Sequence, residues 1–194
     1  IYHGFSEHSG ISKKILYQIK GFRELSHNVY VCQYTFDNNG HRVRMIDNTI
    51  LQDFGKGKFA ALKHKYSYDA ISDFTKKNNI QFVYARSFHN ANPFTIRLFK
   101  QFKEQGIKSV IEIPTYPYDQ EYIGFPFITR MGIKIDKLYR KRLAILTDRI
   151  VTFTDDNFIF GQKTCRISNG IDFESIPLKK ESVQNLNEIN FIGV

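Results

Sequence analysis

Residues 163–176 read KTCRISNGIDFESI, and this stretch decides the architecture. Across residues 163–168 the side chains alternate, with Thr164, Arg166 and Ser168 on one side and Cys165 and Ile167 on the other, which is the period of a strand. Asn169-Gly170 then halts it, because both residues tolerate positive φ and mark a turn. In open parallel α/β sheets ligands gather at the carboxyl ends of strands, so a sharp turn at such an end asks which ligand it serves.

Upstream, strand and helix signals alternate, which is the pattern of βαβ units around a parallel sheet. Strands are predicted at residues 2–5, 29–35, 80–85, 109–113 and 149–153, with extended structure over 41–51 that can add a hairpin after an Asp-Asn-Asn-Gly turn at 37–40. A first helix runs from about Ser12 with Ile15, Ile19 and Phe22 inward, and one long helix is expected from Phe59 to Asn79. Asn92 caps a helix that begins at Pro93 and that Gly106 closes. A further helix turns Ile135, Leu138, Tyr139 and Leu146 inward and Lys137, Arg140 and Lys141 outward, and residues 155–160 read as a short helix. Between them the segment 114–132, PTYPYDQEYIGFPFITRMG, shows little periodicity and reads as a long functional loop.

With 42 per cent apolar residues, 18 Phe and 11 Tyr in 194 residues, the chain has material for one packed core. Its 28 Lys and Arg exceed 19 Asp and Glu, a net charge of +9 that suits an anionic partner: nucleic acid, a phosphorylated small molecule or an anionic membrane face. Lysines simply solvated at the surface explain the same surplus. Cys32 and Cys165 fall in apolar strand-like runs, which favours reduced core thiols over a disulfide. Neither a leader pattern nor an apolar run of spanning length occurs, and the expectation is a cytoplasmic protein. Ile1 at the start and the strand-like NEINFIGV at 187–194 read as cut ends of a longer polypeptide.

Ser9, Gly10, Ile11, Ser12 and Lys13 stand where a strand gives way to a helix, so free N–H groups and the helix dipole would favour an anion there. The spacing is neither G-x-G-x-x-G nor G-x-x-x-x-G-K-[ST], and a tight turn with Ser12 as N-cap is the simpler reading of the stretch alone. Six histidines lack metal-ligand spacing, so no metal is expected, and no activated Ser or Cys nucleophile is evident. Asp119 and Glu121 beside Tyr116 and Tyr118 suit a polyhydroxylated ligand, with solvated loop charges as the alternative.

The run LTDRIVTFTDDNFIFGQKTCRISNGIDFE at 146–174 resembles the end of the N-terminal domain of family 4 glycosyltransferases with the GT-B fold. The matching residues are Asp148-Arg149-Ile150-Val151 and Asn169-Gly170-Ile171-Asp172. Residues 4–31 are similar to that family's glycine loop, first helix and second strand, with Ser26 in place of the usual Gly, and 187–194 resemble the first strand of its second domain. The resemblance implies a Rossmann-like α/β domain, a mostly parallel sheet with helices on both faces. Residues 1–188 would be the acceptor-binding domain, and 189–194 the start of a donor-binding one.

The implied activity is retaining transfer of a sugar from a nucleotide-diphosphate sugar to a glycan, as in bacterial capsule, exopolysaccharide or lipopolysaccharide synthesis, with no bound cofactor. Ser9 to Lys13 would then face the donor phosphates, and Asn169, Gly170 and Asp172 would form the interdomain turn. Arg86, His89, Tyr116, Tyr118, Asp119 and Glu121 would meet the acceptor. Many relatives place a histidine where this chain has Pro114-Thr115-Tyr116, which leaves Glu112, Tyr116 and Asp119 as catalytic candidates by position. By the same resemblance the chain alone would not turn over. A lipid-linked acceptor and peripheral contact with the inner face of the cell membrane are further expectations, drawn from the aromatic and basic residues of 122–142. The resemblance implies no nucleic-acid partner; the competing reading is a basic nucleic-acid- or anion-binding module without catalysis. A dinucleotide-dependent dehydrogenase is disfavoured by the glycine spacing.

Overall fold

A computed structural model describes residues 9–86, 90–119, 124–168, 170, 172 and 174. The predicted strand at 2–5, His89, Glu121, Asn169 and the segment 189–194 lie outside the described residues. The elements run α1 (Gly10–Glu24), β1 (Cys32–Phe36), β2 (Arg42–Ile46), β3 (Thr49–Gly55), α2 (Gly57–Tyr66), α3 (Asp69–Lys77), β4 (Phe82–Arg86), α4 (Pro93–Glu104), β5 (Lys108–Glu112), α5 (Phe127–Leu146), β6 (Arg149–Thr152), β7 (Phe158–Ile159) and β8 (Gln162–Arg166).

Among the described residues the larger sheet has the order β4-β5-β6-β8-β7, with β4, β5, β6 and β8 parallel and β7 antiparallel. The fold is thus α/β, with a mostly parallel, Rossmann-like sheet. The period of two decides what each side of β5 meets: Ile111 and Ile113 join Phe99 and Phe102 of α4 and Leu143 and Ala144 of α5 in the core. Glu112, between them, points to the other side, where Lys14 of α1 reaches it. Helices therefore cover both faces. Helix α4 owes its start to Asn92, whose side chain accepts from the N–H groups of Phe94 and Thr95 while the Thr95 hydroxyl accepts from Asn92 N–H, with Pro93 at the first position.

Four expectations are corrected. The strand near 29–35 is β1, and among the described residues it stands outside the parallel sheet, while the hairpin expected around the 37–40 turn is present as the antiparallel β1-β2-β3 meander. The long helix over 59–79 is two helices, because the buried Arg44 guanidinium takes the carbonyls of His64 and Ser67 and Ser67 turns extended. Helix α5 begins inside the predicted loop: the Pro126 carbonyl accepts from Thr129 and Arg130 N–H and so starts it at Phe127. Residues 155–160 hold a hairpin strand, since Phe160 and Gly161 both take positive φ (53° and 85°) and turn β7 back on β8.

The face of α5 also differs from expectation: Ile133, Asp136, Leu143 and Ala144 are buried, while Ile135 and Leu138 are exposed. Cys165 is exposed because β8 lies near the sheet edge, and neither cysteine is in a disulfide. Among the described residues no helix is long and apolar enough to cross a membrane.

Burial also gives the small sheet a pH dependence. His64 of α2 is 6 % exposed, stacks on Tyr34 at 3.4 Å between centroids and meets Phe54 edge-on. Burial first, then the nearby Arg44 charge, pulls its pKa down from 6.5 to about 4. Between those values the unfolded chain binds a proton that the folded one refuses, so stability falls as pH drops from 6.5 to 4. The loss at pH 4 is about 3 kcal/mol. Denaturant titrations at several pH values should show this slope in wild type and a flatter one in His64→Phe; equal slopes would mean that His64 is protonated in the fold.

Candidate functional site

The parallel register lines up Arg86 of β4, Glu112 of β5, Val151 of β6 and Cys165 of β8 in one row at the carboxyl end of the sheet. Arg86 and Glu112 are neighbours in that row, and Tyr84, two residues before Arg86, shares its face. Glu112 is fully buried. Its Oε1 accepts from Lys14 Nζ at 3.0 Å and lies 3.5 Å from Arg86 Nε, and its Oε2 accepts from the Tyr84 hydroxyl at 2.5 Å.

Burial opposes the charge on Glu112, but the hydrogen bonds from Tyr84 and Lys14 and the charge of Arg86 outweigh it and hold the carboxyl below its usual range. The same burial lowers Lys14 despite the carboxylate, and Arg86 lowers it further. Tyr84 is pushed up, by burial and then by its bond to Glu112, and stays a phenol. Lys14 Nζ also sits 3.5 Å from the centroid of the Phe153 ring, just past β6.

Above this cluster opens a crevice of about 430 Å³, lined by Gly10, Ile11, Lys13, Lys14, Tyr17, Arg86, Phe153 and Gly170. The N-terminus of α1 overhangs it. Ser9, not Ser12, is the cap: it is extended, and its Oγ accepts from Ser12 N–H at 3.4 Å. No acidic residue stands in the first turn of α1, so nothing in the helix itself offsets its positive end. A Cβ on Gly10 or Gly170 would meet nothing within 4 Å, so both glycines leave open space where a ligand can come close to the backbone. Helix end, Lys13, Lys14 and Arg86 against Glu112 leave a surplus of positive charge, which fits a phosphate-sized anion.

Of the predicted site residues, the structure gathers Ser9, Gly10, Ile11, Ser12, Lys13, Arg86, Glu112 and Gly170 at or beside the crevice. Asp172 is held by Lys20 of α1 at 2.9 Å, and Glu174 by the same ammonium at 2.8 Å, so both acidic residues are fastened to α1. Tyr116, Tyr118 and Asp119 do not line the crevice. Tyr116 packs edge-on against Phe160, the Tyr118 hydroxyl donates to Asp136 at 2.7 Å, and Asp119 takes a two-pronged bond from Arg140 at 2.7 and 3.2 Å. Arg140 first, then Lys137, keeps the Asp119 carboxyl low.

Sequence reading missed Lys14, Tyr17, Tyr84 and Phe153. The helical period of α1 held the signal for Lys14, since it is adjacent to Ile15 on the buried side. Among the described residues no group of three His, Cys, Asp or Glu could hold a metal. Comparison with protein-family models, curated proteins and solved structures returns no match.

Removing the Lys14 ammonium leaves a buried carboxylate with reduced compensation. Lys14→Met should cost about 3 kcal/mol in denaturant unfolding, and Lys14→Met with Glu112→Gln should recover most of it. If the double variant is as unstable as the single one, Lys14 matters for packing rather than for charge.

Proposed function

We propose that this chain is the acceptor-side domain of a retaining glycosyltransferase of the GT-B, family 4 type, and that the crevice under α1 receives the diphosphate of a nucleotide-sugar donor. The observation that carries the reading is the convergence of the α1 N-terminus, Lys13, Lys14 and Arg86 on an open space bordered by Gly10 and Gly170. Sugar transfer to a hydroxyl needs the leaving diphosphate stabilised as the glycosidic bond breaks, and oriented N–H groups and fixed cations supply that. A glycan would be the acceptor, in polysaccharide assembly. Glu112, locked by Lys14, Tyr84 and Arg86, serves in this reading to position those cations rather than to take a proton.

The second reading, an anion-binding α/β module without chemistry, rests on the same crevice and parts from the first only over turnover. Acceptor-dependent release of nucleotide by a longer form of the protein would favour the transferase.

Binding separates both from a merely structural crevice. In amide-resolved NMR, uridine diphosphate should shift the signals of Gly10 to Lys14 saturably at concentrations up to about 10 mM, and uridine should not. Gly10→Ala should weaken this at least several-fold without lowering the melting temperature, because the added methyl meets no protein atom yet fills the approach to the helix end. Equal shifts by uridine, or an unchanged response in Gly10→Ala, would overturn the assignment of the diphosphate to this crevice.

A further inference from the structure

Helix α5 presents a second feature that the crevice does not use. Phe127, Met131, Ile135, Leu138 and Ile145 are exposed, Phe127 by 73 %, Leu138 by 78 % and Ile145 by 65 %. At 100° per residue these five fall within an arc of about 80°. That arc points away from the core, because Ile133, Asp136, Leu143 and Ala144 on the other side are buried. A helix whose solvent side needs only solubility would not carry five large apolar residues in one line.

Charge narrows what the line can meet. Lys134, Lys141 and Arg142 are exposed on the same outer half, and the exposed Arg130 and Lys137 stand along its border. The only acidic residue of the helix, Asp136, is buried and accepts from Ala91 N–H and the Tyr118 hydroxyl. Lys137 is engaged by Asp119 at 3.3 Å. The outer face of the helix thus combines an apolar ridge about 27 Å long with cations and no exposed acid of its own, Asp119 reaching only Lys137 and Arg140 at its border.

We propose that the outer face of α5 docks the protein on an anionic lipid bilayer, with the helix lying in the plane of the interface. Phe127, Leu138 and Ile145 enter the boundary between headgroups and acyl chains. Lys134, Lys141 and Arg142 extend their apolar stems over that boundary and place their charges among lipid phosphates. The chemistry fits this occupant because a bilayer supplies both halves, a flat apolar layer and a dense anionic plane, along the whole ridge. The inference is independent of the crevice and of the proposed reaction.

The test is co-sedimentation of the 194-residue chain with phosphatidylcholine vesicles made with and without phosphatidylglycerol, at low and high salt. Two triple variants are compared, Lys134→Gln/Lys141→Gln/Arg142→Gln and Phe127→Ser/Leu138→Ser/Ile145→Ser. All six positions are exposed, so both variants should keep the wild-type circular dichroism and melting temperature. Wild type should bind only the anionic vesicles and release at high salt. The charge variant should lose roughly a hundredfold in partitioning, and the apolar variant on the order of tenfold.

Retention on soluble heparin serves as the control for charge alone, and there the apolar variant should match wild type. No vesicle binding by wild type, equal binding by the apolar variant, or a wild-type dimer in sedimentation equilibrium that the apolar variant splits would each overturn the proposal, the last by assigning the ridge to a second copy of this chain.

Discussion

The buried carboxylate of Glu112 sets the frame of this molecule. Glu112 stands at the carboxyl end of a central strand with no exposure to solvent, and an ionised carboxylate in such a place is tolerated only when its oxygens are matched by donors. The donors come from separate elements: Tyr84 and Arg86 from the adjacent strand β4, and Lys14 from α1 on the face above. Lys14 is one turn into its helix, so meeting Glu112 places the N-terminus of α1 over the ends of the parallel strands. The opening beneath that N-terminus follows from the pairing, as does its positive character.

The two faces of the sheet divide the labour. One side buries Ile111 and Ile113 against α4 and α5 in a continuous apolar core that includes the almost wholly buried Phe102. The other carries the polar row of Tyr84, Arg86 and Glu112 under α1. Strand alternation makes this division possible, since neighbouring residues of β5 serve packing and charge in turn. The loop after β5 belongs to the packing side: Tyr118 and Asp119 are held by Asp136 and Arg140 of α5, and Arg140 lies over the Phe160 ring at 4.5 Å.

Local signals in the sequence carried much of the fold. The Asn92 cap with Pro93 and the alternation of strands and helices from β4 to β6 could be read directly, because each depends on residues close in the chain. The misses share a cause. Arg44 ends α2 from another strand, and the Phe160-Gly161 turn needs a positive φ at a phenylalanine, which composition does not announce. Helix α5 has apolar residues on both its faces, so periodicity alone could not say which face is inward. In the candidate site, the helix N-terminus was legible from the glycine and serine around residue 10. The choice of Lys14 over Lys13 as the partner of Glu112 was not, because it depends on how α1 crosses the sheet. Asp119 looked available for a ligand only because its partner Arg140 is 21 residues away.

If the Glu112 cluster builds the proposed anion site beneath α1, an anion of phosphate shape must bind there. The most direct measurement is anomalous diffraction from a crystal soaked in selenate, a tetrahedral dianion of phosphate shape with a strong selenium signal. The expected result is a peak within about 3 Å of the first free N–H groups of α1 and of the Lys13 or Arg86 side chain. A crevice without selenium in crystals where selenate occupies other basic surface positions would rule out an anion site there.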